Sequence, residues 1–256
     1  MRTLLGALLL LVLILLTKRH LVQKTAKRDY LFILTSGCCM GASWMFQYEA
    51  FVRIGVGITS LIYCLGPVLL VALSPLIFKE KITLRRLIFF TVALIGILLV
   101  NSQATNANSD LFGFICALLC ALCYTGFIVL NKQATTVRGI ENAAFQLCGA
   151  CAISFVCALF VHEIPFYIPQ ESILPLIVLG IISTGVGCFL YFSGIGRLPA
   201  QTVAVCDYLE PLLAVILAGV ILQETLTTLQ LIGGCLIIVG ALGSELAAYP
   251  FQRYIQ

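Results

Sequence analysis

The chain has 256 residues, of which 61% are hydrophobic and 10% charged, with a mean hydropathy of +1.09. A soluble globular protein carries about 25% charged residues, so this composition excludes a cytosolic enzyme, a secreted disulfide scaffold and a disordered chain. Fifteen Lys and Arg against eleven Asp and Glu leave a net +4, which supports no nucleic-acid reading and puts the information in where the charges stand.

A helix crosses the hydrocarbon core with about 17 to 25 apolar residues, because each backbone N–H and C=O must be paired where water is absent. Nine stretches read as such helices: 3–17, 30–52, 57–78, 84–101, 111–131, 143–161, 173–195, 201–223 and 228–246. The first is short enough to resemble a signal-peptide core. However, Arg2 alone precedes it while Lys18, Arg19, Lys24, Lys27 and Arg28 follow, and no small-residue cleavage site is evident. Basic loops stay in the cytoplasm. Alternate loops divide the Lys and Arg residues 13 to 2, with only Arg2 and Arg53 on the poorer side, so the N-terminus is expected outside and the C-terminus in the cytoplasm.

An internal repeat underlies the odd helix number. Leu65 opens LGPVLLVALSPLIFKEKIT and Leu209 opens LEPLLAVILAGVILQETLT. The pairs Pro67/Pro211, Glu80/Glu224, Thr83/Thr227, Gly96/Gly240, Gly41/Gly185 and Arg53/Arg197 all share an offset of 144. Six gapless matches in Gly, Pro, Arg, Glu and Thr are not a product of apolar composition. The expected fold is therefore all-α and integral to the membrane, built from two copies of a five-helix unit with the first copy lacking its first helix. Residues 1–101 form the four-helix copy and 108–249 the five-helix copy. Five being odd, the copies run in opposite senses across the membrane, the build of many secondary transporters.

These patterns resemble the drug/metabolite transporter superfamily, in particular its EamA-type members. The resemblance is strongest in LEPLLAVILAGVILQETLTTLQLIGGCLIIVGAL and clear in LRRLIFFTVALIGILLV and MRTLLGALLLLVLILL, the last being similar to the family's second helix. It implies a ten-helix fold that moves small organic metabolites, often outward, and so a chain missing the family's first helix.

No phosphate loop or HExxH is present, and His20 and His162 fall in loops, so energy is expected from a gradient or a partner. The twelve cysteines fall inside the expected helices, Cys116, Cys120 and Cys123 on one face, and read as packing rather than metal or redox groups. Charge inside a span is costly. Glu210 stands almost at mid-depth of its span and Asp207 one turn, roughly 5 Å, toward the cytoplasm, able to face the same cavity. Either they meet substrate or a coupling proton, or they only fix a neighbouring helix. Tyr63, Tyr124, Tyr191 and Tyr208 stand nearer the middle depths, and Trp44, Gln47 and Tyr48 on the outer half beside Glu49. They read as a lining for an amphipathic or aromatic solute, or as interfacial anchors. Mid-span Pro67 and Pro211 each remove a backbone hydrogen bond and read as hinges, or as static kinks. Gly37, Gly41 and the Gly233, Gly234, Gly240 and Gly243 series read as close helix packing.

The sequence thus points to a secondary transporter of a small organic solute, amino acid or drug-like. It would sit in a bacterial inner membrane, exporting or exchanging by alternating access, with no cofactor, metal or nucleic acid. Two alternatives stand beside it: an intramembrane enzyme using Asp207 and Glu210 as an acid/base pair, and a truncated or accessory membrane protein.

Overall fold

The computed structural model describes residues 2–16, 27–79, 82–100, 110–160, 170–195, 197–210, 213 and 227–252. Among these, every regular element is helical. In chain order they are α1 (Arg2–Leu16), α2 (Lys27–Ile54), α3 (Val56–Tyr63), α4 (Leu65–Ile77), α5 (Leu84–Val100), α6 (Leu111–Gln133) and α7 (Ile140–Phe160). Then follow α8 (Gln170–Ile177), a π-helical stretch (Val178–Val186), α9 (Gly187–Ile195), α10 (Ala200–Asp207) and α11 (Thr228–Gln252). Among the described residues, four stretches are long and apolar enough to cross a membrane: Ile58–Ile77, Leu111–Gln133, Ile140–Leu159 and Gln170–Ile195.

Three of the expected spans are interrupted. Residues 57–78 form α3 and α4, separated by a turn at Cys64. Pro67 has no N–H to give the carbonyl four residues back, that of Tyr63, so the α-helical ladder fails there. The described part of span 201–223 repeats this geometry: α10 ends at Asp207 and Tyr208 forms a turn, with φ −71° and ψ −11° against −60° and −14° at Cys64. Residues Pro211, Leu212 and 214–226 lie outside the described residues. The third, 173–195, passes through the π-helical stretch, where Thr184 Oγ1 donates to the Leu179 carbonyl five residues back at 2.8 Å. Its Gly180 and Gly185 leave room for α1: a Cβ on either would come within 2.8 Å of the side chain of Leu5 or Leu9. Glycines here let two helices approach closely and go with the widened turn.

The chain folds into two compact units that do not follow the sequence repeat. The first holds residues 1–45 and 123–198, the second 46–122 and 199–256. Each takes elements from both copies.

In the first unit α7 packs on α1 and on the N-terminal half of α2. Gly149 and Gly37 bring backbones together: a Cβ on Gly149 would lie 2.4 Å from the Leu34 carbonyl oxygen, and one on Gly37 2.2 Å from that of Gln146. Polar side chains inside this unit are tied in pairs. Asn131 and Asn142 exchange amide bonds at 2.8 and 3.3 Å, and Gln146 Nε2 donates to Ser36 Oγ at 2.7 Å. Ser36 donates on to the Phe127 carbonyl at 2.6 Å. Asp29 accepts from the Thr136 backbone N–H and hydroxyl at 2.7 and 2.6 Å, joining the start of α2 to the α6–α7 loop. Burial works to raise the Asp29 carboxyl, but those two bonds, with the Thr135 backbone N–H and the Arg28 charge, outweigh it and hold it below the ordinary carboxylate range.

In the second unit α5 lies along α11, α4 against α10, and α10 also touches α11. Gly55, at φ 82°, breaks α2 from α3 in a conformation open chiefly to glycine. Arg53 closes the C-terminal end of α2. Its Nε donates to Glu49 at 2.6 Å and its Nη1 to Asp110 at 2.9 Å, with its guanidinium 4.7 Å over the Phe112 ring. Glu49 is thus one of three members of an ion-pair group centred on Arg53. The Asp110 carboxyl is held below the usual range, chiefly by Arg53, and also accepts from the Phe112 N–H at 2.9 Å, capping α6.

Contacts inside both units are reciprocal under the 144-residue offset. Gly41 packs on Ala150 and Gly185 on Gly6; 41 pairs with 185 and 6 with 150. Gly96 packs on Gly233 and Ile237, while Gly240 packs on Phe89 and Ala93, each residue exchanged for its partner. Reciprocity of this kind, i on j and j on i, is what a two-fold relation produces.

Candidate functional site

The turns at Cys64 and Tyr208 meet. Tyr208 Oη donates to the Cys64 carbonyl at 3.5 Å, and the two residues are counterparts 144 apart, so this contact joins equivalent points of the two copies. The Tyr208 ring is buried, 1% exposed, and stacks at 5.3 Å on Phe90 of α5. Tyr208 was expected to line a cavity. The structure instead buries its ring against Phe90 and turns its hydroxyl to the Cys64 carbonyl, so that it fastens the two helix breaks.

Around this fastener stand the groups with chemistry. Tyr63, the counterpart of Asp207, is within electrostatic reach of both Glu210 and Asp207, and Cys64 of Glu210. Asp207 is half-buried and Glu210 exposed on the protein surface, which in a membrane helix means facing lipid or an open space rather than packed protein. Pro67, in the first turn of α4, is buried. The sequence-picked residues Tyr63, Pro67, Asp207, Tyr208 and Glu210 are thus gathered at one place in the second unit. Pro211 lies outside the described residues.

The other picked residues are elsewhere. Tyr124 is 2% exposed, its ring edge-on to Phe127 at 5.3 Å. Phe127 in turn lies 6.5 Å from Tyr191, so this pair forms an aromatic stack of the first unit, with Tyr124 in its packing rather than on a cavity wall. Trp44 carries the Arg2 guanidinium 4.3 Å over its ring. Tyr48 is 46% exposed and edge-on to Phe51, and Gln47 is half-buried beside it on α2.

Several polar groups escaped the sequence reading: Ser36 with Gln146, Asn131 with Asn142, and a line from Arg86 through Gln201 to Ser74. The signal existed in each case as a lone Ser, Asn or Gln inside an apolar run, too common a feature to single out without its partner. Among the described residues no group of three or more His, Cys, Asp or Glu could hold a metal ion.

Comparison with known proteins agrees with this architecture. The model of the EamA-like transporter family matches residues 1–102 and again 111–245. An uncharacterized transporter, YxxF, of Bacillus subtilis is 26% identical over 87% of this chain and 72% of its own length. The threonine/homoserine exporter RhtA of Salmonella typhimurium is 26% identical over 86% of this chain and 73% of its own. An uncharacterized transporter of Clostridium kluyveri is 26% identical over 72% of this chain; the match spans 61% of that relative's length. A crystal structure at 20% identity covers 96% of this chain and 99% of its own with a TM-score of 0.70, a likeness of fold. With the family model matched along both copies, this integral-membrane chain belongs to the EamA-like transporter family, whose members here are named as transporters and not as enzymes.

Proposed function

We propose that the chain is a secondary transporter that moves a small, polar organic solute of the amino-acid class outward across a cell membrane. The observation that carries this reading is the gathering of Asp207, Glu210 and Tyr63 at two helix breaks related by the 144-residue repeat. Broken helices in matching halves of a repeat supply both the backbone groups and the mobility that a transport site uses. The name of the threonine/homoserine exporter supports an amino-acid-like cargo, and the aromatic ring of Tyr63 beside two carboxyls suits a cationic ammonium next to an apolar body.

In this reading a carboxyl at mid-depth alternates between a proton and the solute's ammonium. Its ionised form is costly in hydrocarbon and is tolerated only while paired, so exchange of one partner for the other couples the two movements. Glu210 carries that exchange and Asp207, one turn nearer the cytoplasm, receives the solute first. Pro67 lets α4 swing about the Cys64 turn, and Pro211 is the matching hinge in the second copy. The 13 to 2 division of Lys and Arg supports an N-terminus outside and a C-terminus inside. A screen of labelled amino acids and related amines, run in vesicles containing the purified protein with an imposed pH gradient, tests the reading. Uptake or release of no member of the class, under either gradient polarity, would defeat it.

A further inference from the structure

The second unit carries a second feature, which shares Phe90 with the helix breaks. A shallow groove beside α5 is floored by Val71, Phe90, Val205 and Gln201 and edged by Leu87 and Arg86. Val71, Phe90 and Val205 are 7%, 6% and 2% exposed, whereas Leu87 is 44% exposed, so the groove has a packed apolar floor and an open rim. Arg86 is pinned at that rim. Its Nη1 donates to Gln201 Oε1 at 2.9 Å; Gln201, 3% exposed, donates from Nε2 to Ser74 Oγ at 3.2 Å, and Ser74 donates to the Val71 carbonyl at 2.9 Å.

This line of hydrogen bonds fixes the guanidinium without neutralising it. Gln201 is an uncharged amide, and it engages one of five guanidinium N–H donors, leaving a fork suited to a phosphate. The first turn of α5 contains no acidic residue, and Arg85 and Lys79 are exposed close by in sequence. The repeat scaffold does not require the arrangement. Shifted by 144, Arg86, Gln201 and Ser74 correspond to Gln230, Gly57 and Ala218, which offer neither the charge nor the side-chain bonds. The device therefore stands at one end of the repeat only, the end whose loops hold the basic residues, where a membrane leaflet presents its anionic headgroups.

A fixed cation at the mouth of an apolar groove fits an occupant with an anionic head and an apolar tail. We propose that Arg86 and this groove bind an anionic phospholipid of the surrounding bilayer, with the phosphate on the Arg86 guanidinium and an acyl chain passing along the open rim at Leu87. Arg85 adds to the headgroup's attraction without fixing its position.

The test is native mass spectrometry of the full chain in neutral detergent, titrated with phosphatidylglycerol or with phosphatidylcholine of the same acyl chains. Wild-type protein retains phosphatidylglycerol about tenfold more tightly, the scale of one or two basic contacts at a membrane surface. Arg86→Gln abolishes that preference and leaves phosphatidylcholine binding unchanged. Arg86→Lys keeps part of it, since an ammonium lacks the fork. Arg85→Gln, at an exposed position that does not affect folding, halves it or more, and keeps the test decisive should Arg86 variants fail to fold. Glu80, beside the groove in sequence, supplies a further arm: Glu80→Gln changes retention less than twofold. Equal retention of the two lipids by wild-type protein would overturn the proposal, as would full preference in the Arg86→Gln and Arg85→Gln proteins. So would displacement of phosphatidylglycerol by millimolar inorganic phosphate, which would mark a soluble-anion site, or a tenfold gain in Glu80→Gln, which would mark Arg86 as already neutralised.

Discussion

Adding one methyl group at Gly240 should loosen the α5–α11 pair. A Cβ there would stand 2.6 Å from both the Ala93 nitrogen and the Phe89 carbonyl oxygen, and 2.7 Å from the Ala93 Cβ. Ordinary contact begins at 3.4 Å, so the overlap is about 0.8 Å, and two of the three atoms are backbone that no rotamer change can remove. Over-packing of this kind costs about 1–3 kcal/mol, and the rigid neighbours put Gly240→Ala toward the upper end. The gain in helix propensity, at most about 1 kcal/mol, offsets part, leaving a net loss of about 1–2 kcal/mol. Gly96→Ala should match it, because Gly96 meets Gly233 O at 2.6 Å and Ile237 N at 2.9 Å in the reciprocal contact. Gly194→Ala is the control: nothing lies within 4 Å of its Cβ, so only the propensity gain remains. The assay is the fraction of protein left monodisperse after a heating series in detergent, read for the three variants and wild type. Gly240→Ala and Gly96→Ala as stable as Gly194→Ala would refute the close-packed, reciprocal α5–α11 interface.

Four further outcomes follow from named contacts. Asp110→Asn keeps an N-cap but loses the charge facing Arg53, so it should lower thermal stability at pH 7. Because the folded carboxyl lies below its ordinary value, that contribution is full above the unfolded pKa of about 3.9 and fades as pH falls through the folded value, so the difference between variant and wild type should narrow as melts are taken to lower pH. Asp29→Ala removes both bonds to Thr136 and should speed protease cleavage of the α6–α7 loop at pH 7; unchanged cleavage would set that tie aside. Tyr208→Phe, which keeps the ring on Phe90 and drops the bond to Cys64, should leave stability within about 1 kcal/mol, whereas Tyr208→Ala should cost about 3–5 kcal/mol, both read by the same heating series. Impermeant cysteine labelling should reach position 106 from outside and position 24 only after the membrane is opened; labelling of both from one side would break the proposed topology.

How much of this was legible in the sequence depends on the length scale of the signal. Long apolar runs bounded by charge located α1, α2, α5, α6 and α7 to within three residues, because hydrocarbon thickness leaves little choice of length. The offset of 144 was legible because Gly and Pro occur where backbone approach and helix breaks demand them, and the reciprocal contacts of Gly41, Gly185, Gly96 and Gly240 are that demand seen in space. The Cys64 turn followed from Pro67. The π-helical stretch at Val178–Val186 did not, since a widened turn changes the hydrogen-bond register without a residue type that announces it. Burial was the least legible property. Depth along a helix says nothing of which face meets protein, so Tyr208 and Tyr124, read as lining, are packed at 1% and 2% exposure. Polar pairs such as Asn131 with Asn142 became visible only when both members were placed.

The most direct test of transport through a carboxyl at mid-depth uses proteoliposomes holding equal amounts of wild type, Glu210→Gln, Asp207→Asn and Glu49→Gln. Flux of one transported solute is followed under one pH gradient. Glu210→Gln should insert and fold as wild type yet lose gradient-driven flux, Asp207→Asn should retain part of it, and Glu49→Gln should transport close to normally. Wild-type, gradient-driven flux in the Glu210→Gln protein would contradict the account and return Glu210 to a structural role.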